Sequence, residues 1–177
     1  MTAHRLTGFL AGPYARQSPL ALSASSAELY ALLSSLSGIP LTQSLAVTGS
    51  VNQQGGIQPV GAINEKIEGF FDVYRARRLD GRHGVVIPEG NARHLMLRED
   101  LVQAVREERF HVYVVSTVDE GLSMLSGRPA GERGPDGQFP ADSVNGAVER
   151  ALTENVARLR LMRGDGRTVS ATKGERS

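Results

Sequence analysis

Apolar residues recur at helical spacing in the segment "INEKIEGFFDVYRAR". The pattern predicts a helix over residues 63 to about 78, because intervals of three and four place its apolar side chains on one face. The predicted buried stripe is Ile63, Ile67, Phe70, Phe71 and Tyr74. Lys66 follows Ile63 by three residues and precedes Phe70 by four, so it borders this stripe.

A second helix is predicted in "SSAELYALLSSLSGIP". Ser25 and Glu28 have the spacing of a capping box, with Ser25 as the N-cap, and Gly38 and Pro40 give a normal helix end. We expect its apolar stripe to consist of Leu29, Leu32, Leu33 and Leu36.

Strand patterns alternate with further helices. "RLTGFLAGPYARQSPLALSAS" predicts two short strands around a Gly-Pro turn, and "SLAVTGSV" a strand that returns as a hairpin through "NQQGG" to "IQPVG". Pro59 confines the return strand to an edge or an irregular end. "HGVVIP" predicts a buried strand ended by Pro88, and "FHVYVVS" another strand.

The remaining helices are expected in "GNARHLML", "EDLVQAVREE", "TVDEGLSMLSG" and "SVNGAVERALTENVARLRLM", with a loop over residues 128–140. In the third, Thr117 is the predicted N-cap, Glu120 takes the box position and Gly127 ends the helix. Val144, Val148, Leu152 and Val156 recur at intervals of four in the last. Strands and helices alternate without a clean βαβ period. We therefore predict an α+β fold with a mixed sheet and flanking helices, in one domain over residues 1–160, followed by a disordered polar tail over residues 161–177.

Composition excludes several classes of function. The chain has 177 residues, of which 40% are hydrophobic, and a net charge of +1. It therefore has no bulk attraction to nucleic acid or membrane. The absence of Cys excludes a thiol nucleophile, and no apolar stretch reaches the length of a membrane span. The N-terminus "MTAHRLTGFL" lacks the pattern of a signal peptide, so we expect a cytoplasmic protein.

Common ligand motifs are missing from the sequence. There is no phosphate-binding loop, and the four histidines lack metal-ligand spacing, so no metal or other cofactor is expected. The arginines of "RARRLDGRHG" could contact nucleic acid, but Asp72 and Asp80 dilute their charge, and a solvated helix end is the better interpretation.

Lys66 is the most unusual residue, because Lys173 is the only other lysine among 20 basic residues. It could extend its amine to water past the apolar stripe, which is the interpretation that spacing alone favours. It could instead be a desolvated base, a role that Arg cannot fill because guanidinium does not deprotonate in proteins. Such a base needs a nucleophile beside it, and serines cluster in "LSASSAEL", at a strand-to-helix junction whose N–H groups can stabilise an oxyanion.

These segments together are more specific than each alone. "SASSAELYALLSSLSGIPLTQSLAVTGSVNQQGGIQPVGAINEKIEGFFDV", continued by "HGVVIPEGN" and "FHVYVVSTVDEGLSMLSGRPAG", resembles the proteolytic domain of the Lon protease family. The resemblance is closest to the ATP-independent Lon-like branch or to relatives with divergent ATPase motors. The resemblance implies the fold of that domain, which is ribosomal protein S5 domain 2-like. It also implies a serine endopeptidase that cleaves unfolded or flexible proteins, and a hexameric ring.

The family motif falls on Ser23, Thr48 and Lys66. The resemblance implies that Ser23 is the nucleophile, that Lys66 is the base, that Thr48 supports Lys66, and that the backbone N–H of Ala24 contributes to the oxyanion hole. Spacing to Lys66 favours Ser23, although Ser25 or Ser26 could also be the nucleophile.

The chain departs from the family before the nucleophile. Leu20, Ala21 and Leu22 stand where relatives have an acidic, Gly-containing stretch, and a loop that lines the cleft in relatives is missing. A non-catalytic assembly or binding module that keeps the fold is therefore the alternative function.

Overall fold

The computed structural model describes residues 25–162. The strands predicted before residue 25 lie outside this range, and so does the predicted tail over residues 161–177 apart from residues 161 and 162, which are helical. The helices are α1 (Ser25–Ser37), α2 (Ile63–Ala76), α3 (Glu89–Ala92), α4 (Glu99–Arg106), α5 (Val118–Ser126) and α6 (Val144–Met162). The strands are β1 (Leu45–Val47), β2 (Ser50–Val51), β3 (Ile57–Gln58), β4 (Gly84–Pro88) and β5 (His111–Val115).

Three strands form a parallel sheet in the order β1-β4-β5, in which Val86 lies opposite Val47 on one side and Tyr113 on the other. Strands β2 and β3 form a separate antiparallel pair. Helices with a small, mostly parallel sheet confirm the predicted α+β class. Antiparallel pairing within residues 25–162 is confined to the small hairpin and one isolated bridge, and the sheet beside the helices is parallel.

The segment predicted as one strand in "SLAVTGSV" is two strands. Strand β1 pairs with β4, and β2 pairs with β3 in the other sheet, with Thr48 and Gly49 between them. The predicted hairpin is confirmed, and β3 ends directly before Pro59, whose ring nitrogen cannot donate to a strand ladder.

The parallel sheet separates two apolar clusters, because successive side chains of a strand point to opposite faces. One face carries Ala46, Val85 and Ile87, which pack with α2 and α4. The opposite face carries Val47 and Val86, which pack with α1, α5 and the start of α6. Strand β4 is buried along its whole length, as its unbroken apolar pattern predicts.

The prediction for α1 was correct only in part. Leu29 and Leu33 of the predicted stripe are half-buried and pack against the core, but two details were wrong. Its buried positions are Ser26, Ala27, Tyr30 and Ser34, whereas Leu32, a member of the predicted stripe, is 55% exposed. Ser25 lies inside the helix and is not its N-cap. Its hydroxyl accepts a hydrogen bond from the N–H of Val51, 3.1 Å away, so the side chain joins α1 to the β2 strand.

The predicted start and end of α5 are confirmed. The Thr117 hydroxyl accepts a hydrogen bond from the N–H of Glu120 at 3.2 Å, and the Glu120 carboxylate accepts one from the N–H of Ser116. Gly127 ends the helix in the left-handed conformation, with φ of 67°. Glycine adopts this conformation without a steric penalty.

Helix α6 follows the predicted spacing but buries only its first part. Val144 and Val148 are buried, whereas Leu152 and Val156 are 48% and 47% exposed. Its apolar stripe therefore continues beyond the body of the domain. No helix within residues 25–162 is long and apolar enough to cross a membrane.

Candidate functional site

Thr48 follows β1 directly and is 8% exposed. Its backbone N–H donates to the Val86 carbonyl at 3.1 Å, which continues the pairing of β1 with β4 by one step. Because side chains alternate along a strand, Thr48 lies on the same face of the sheet as Ala46. That face packs against α2, the helix that carries Lys66.

The start of α1 is attached to the residues that follow Thr48. The Gly49 carbonyl accepts hydrogen bonds from the backbone N–H of Ser26 at 3.2 Å and from its hydroxyl at 2.9 Å. Gly49 has little room for a side chain, since a Cβ would lie 3.0 Å from Cγ2 of Ile57 and 3.2 Å from Oγ of Ser26. This close approach brings the N-terminus of α1 to the end of β1.

Two of the three candidate serines take part in these contacts. Ser26 is completely buried and donates its hydroxyl hydrogen to Gly49, and the Ser25 hydroxyl accepts from Val51. Both hydroxyls therefore have structural roles, and Ser26 is inaccessible to a substrate. Ser23 and Ala24 lie outside the described residues, and their roles stay predictions.

Lys66 lies beside the buried stripe of α2, as predicted. Ile63, Ile67, Phe70 and Phe71 are buried, and Lys66 itself is half-buried. Its Nζ is buried, however, and makes no hydrogen bond with any part of the chain within residues 25–162. Burial lowers the pKa of Lys66, because desolvation disfavours the ammonium form. Of the two alternatives from the sequence, the buried Nζ favours the desolvated amine over one that reaches water.

The loop before α2 is held by Asn91, a residue that the sequence analysis missed. Its Nδ2 donates to the Val60 carbonyl and its Oδ1 accepts from the Val60 N–H, each at 3.0 Å. In the sequence Asn91 was part of a predicted short helix, and its place three residues after the end of a buried strand was the available signal.

Other candidate chemistries find no support in the described part of the chain. Between residues 25 and 162, no three His, Asp or Glu side chains are grouped as metal ligands would be. The predicted arginine cluster is partly neutralised, since Arg75 pairs with Asp100 and Arg82 with Asp80.

Comparison with known proteins identifies the family of this domain. The family model of the Lon protease (S16) C-terminal proteolytic domain matches residues 15–126. The chain belongs to this Lon family. The match includes the helix α1, the hairpin, Lys66 and the parallel sheet, so the family assigned from sequence motifs is confirmed.

Individual Lon relatives show the same likeness over part of their length. A protein of Escherichia coli (strain K12), by name a Lon protease homolog, is 52% identical over 103 residues, which are 58% of this chain and 18% of that protein. A second such homolog, from Haemophilus influenzae, is 35% identical over 73% of this chain and 22% of its own length. An archaeal Lon protease from Thermococcus kodakarensis is 31% identical over 58% of this chain and 14% of its own length. The matched part of the chain thus spans about a fifth of these relatives or less.

Proposed function

We propose that the chain is a serine endopeptidase domain with a Ser-Lys dyad, in the S5 domain 2-like fold of Lon proteolytic domains. The carrying observation is the amine of Lys66, buried and without a hydrogen-bond partner in the described chain, in a domain of a protease family. A structural lysine would pair its charge or reach water, because an unpaired buried ammonium is costly. A buried amine with a lowered pKa is suited to accept a proton at neutral pH.

Ser23 is the proposed nucleophile. It precedes Ser25 by two residues, and two residues of chain span at most about 7 Å. The attachment of α1 to Gly49 and Val51 brings the start of α1 close to Thr48, which directly follows β1, and Ser23 precedes that start in the sequence. The structural roles of the Ser25 and Ser26 hydroxyls also favour Ser23 over the two alternatives.

The proposed reaction is peptide hydrolysis in two steps. Neutral Lys66 takes the proton of the Ser23 hydroxyl as its oxygen attacks the peptide carbonyl carbon, and the proton then passes to the leaving amine. Water attacks the resulting acyl-enzyme ester in the same manner and releases the acid. Thr48 would orient the Lys66 amine by a hydrogen bond, and the backbone N–H of Ala24 would stabilise the oxyanion.

For the whole protein we propose cleavage of unfolded or flexible polypeptides in the cytoplasm by a homohexamer, without ATP or another cofactor and without binding to nucleic acid or membrane. The apolar residues Leu152, Val156 and Leu159, each about half exposed on α6, could provide subunit contacts. The same surface favours the alternative, a non-catalytic assembly or binding module of this fold.

Cleavage of casein by site variants tests the proposal. Ser23→Ala and Lys66→Met should abolish cleavage without loss of folding, and the matched variant Ser25→Ala should keep measurable activity. ATP with magnesium should leave the rate unchanged. Full activity of both dyad variants would refute the proposal, whereas labelling of Ser23 by a fluorophosphonate probe would exclude the non-catalytic alternative.

A further inference from the structure

Asn91 holds the backbone of Val60 through both polar atoms of its amide. The residue is 6% exposed and both hydrogen bonds are partly buried, so they have limited contact with water. A carboxamide offers a donor and an acceptor in the same arrangement as a peptide group. Asn91 therefore acts as a substitute strand neighbour for Val60, just past the point where Pro59 ends the β3 strand.

The neighbouring Gly90 lets the two segments come this close. A Cβ on Gly90 would lie 2.5 Å from Cγ of Pro59, closer than two carbon atoms can pack. Gly90 and Asn91 of α3 thus contact Pro59 and Val60 of the loop, respectively. Helix α3 follows directly on Pro88, which is fully buried at the end of the central strand, so the support for the loop is attached to the core.

The loop leads directly into the helix of Lys66. Ala62 has φ of 55° and ψ of 38°, a left-handed conformation. This conformation is strained for a residue other than glycine. No side chain caps the start of α2, and the N–H of Lys66 donates to the Ala62 carbonyl at 3.2 Å. Restraint from outside the loop is therefore needed to keep this turn, and with it the first turn of α2.

We propose that Asn91 is a positioning residue for the Lys66 amine: by holding both sides of Val60, it fixes the turn at Ala62 and hence the first turn of α2. This inference rests on the proposed role of Lys66 as the base. Asn91 touches neither substrate nor reacting atoms in this proposal, and it acts through the backbone alone.

Asn91→Asp is the direct test, because it keeps size and acceptor but removes the donor to Val60. The matched control is Asn52→Asp, since the Asn52 Oδ1 only accepts, from the N–H groups of Gln54 and Gly56, and Asp can accept likewise. For Asn91→Asp we expect kcat on casein-derived peptides to fall by about 10- to 100-fold with little change in KM, as for a displaced catalytic group. The control should keep the kcat of the original chain.

A second measurement, the pKa of the Lys66 amine, does not depend on peptidase activity. With ¹³Cε-labelled lysine, NMR gives signals from Lys66 and Lys173, and Lys66→Met assigns them. The pKa of Lys66 should move in Asn91→Asp toward the ordinary lysine value of about 10.4, because a loosened turn admits water to the amine. A Lys66 titration and a kcat that both equal those of the original chain would overturn the proposal.

Gly90→Ala disturbs the same loop from the adjacent residue and serves where Asn91→Asp does not fold. It should give the same shift of the Lys66 titration, and an unshifted titration in this folded variant would also overturn the proposal. If the unsubstituted chain cleaves no peptide, only the peptidase proposal fails. The titration still tests whether Asn91 positions Lys66.

Discussion

Replacement of Lys66 by Met should remove activity and at the same time stabilise the fold. The Lys66 amine is buried without a hydrogen-bond partner in residues 25–162. Such a buried polar group costs about 1–3 kcal/mol. Met has a similar length and nearly the same helix propensity, so the substitution leaves no large cavity and does not weaken α2. We therefore expect the free energy of unfolding to rise by about 1–3 kcal/mol, with Tm rising about 2–4 °C for each kcal/mol.

The assay is urea unfolding followed by circular dichroism at pH 7, with Glu65→Gln as the matched control. Glu65 is exposed in the first turn of the same helix. Its substitution should therefore change the free energy of unfolding by no more than about 1 kcal/mol. The reasoning is refuted if Lys66→Met is no more stable than the original chain while the control behaves as expected.

The pH dependence of this stabilisation has a definite sign. The pKa of Lys66 is lowered in the folded state. Between that value and the unfolded value of about 10.4, the unfolded chain therefore binds more protons. The original chain gains stability as pH rises through this alkaline window, by up to about 1.4 kcal/mol per pH unit. Lys66→Met lacks this gain, so its advantage should be largest below the window and should shrink as the pH rises toward about 10.4. A constant advantage would contradict burial as the cause.

Four further substitutions test other parts of the fold. A Cβ on Gly121 would lie 2.0 Å from the Tyr30 hydroxyl oxygen in a packed core. Gly121→Ala should therefore destabilise the domain by roughly 1–3 kcal/mol in urea unfolding. On α6, Val144 is 1% and Val156 is 47% exposed. Val144→Ala should cost about 1–3 kcal/mol in the same assay, and Val156→Ala about 0.5 kcal/mol or less. Arg98 holds the pKa of two exposed carboxylates, those of Asp72 and Asp100, below their usual range. That stabilisation is present above the unfolded pKa and lost as pH falls, so Arg98→Met should make unfolding less sensitive to acid below about pH 4.

Helices with a clear polar face were predictable from the sequence, and α1 shows where periodicity fails. Hydropathy ranks Leu above Ser, so the leucines of α1 were expected inside. In the structure the hydroxyls of Ser26 and Ser34 donate to the carbonyls of Gly49 and Ile39. This pairing lets both serines be buried at little cost. Such pairing with a backbone outside the helix is not encoded in a local pattern.

The candidate site likewise has one part that the sequence predicted and one part that it did not. The position of Lys66 beside an apolar stripe followed from spacing within one helix, and the structure shows the burial of its amine. The contact between Asn91 and Val60 joins residues 31 positions apart, and no local rule pairs an asparagine with a chosen loop. The break between β1 and β2 was missed for a related reason. The segment "VTGS" does not indicate that the residues before it pair with β4 and those after it with β3.

The order of strands in the parallel sheet determines when the site can assemble during synthesis. The central strand β4 is made after both β1 and α2, yet it is the neighbour on which Thr48 and the apolar face of α2 depend. Parallel pairing over such a chain separation forms late, after a long loop has closed. A nascent chain that ends before β4 therefore has Lys66 without the buried surroundings that lower its pKa. If the proposed function holds, the peptidase stays inactive while its own chain is still unfolded on the ribosome.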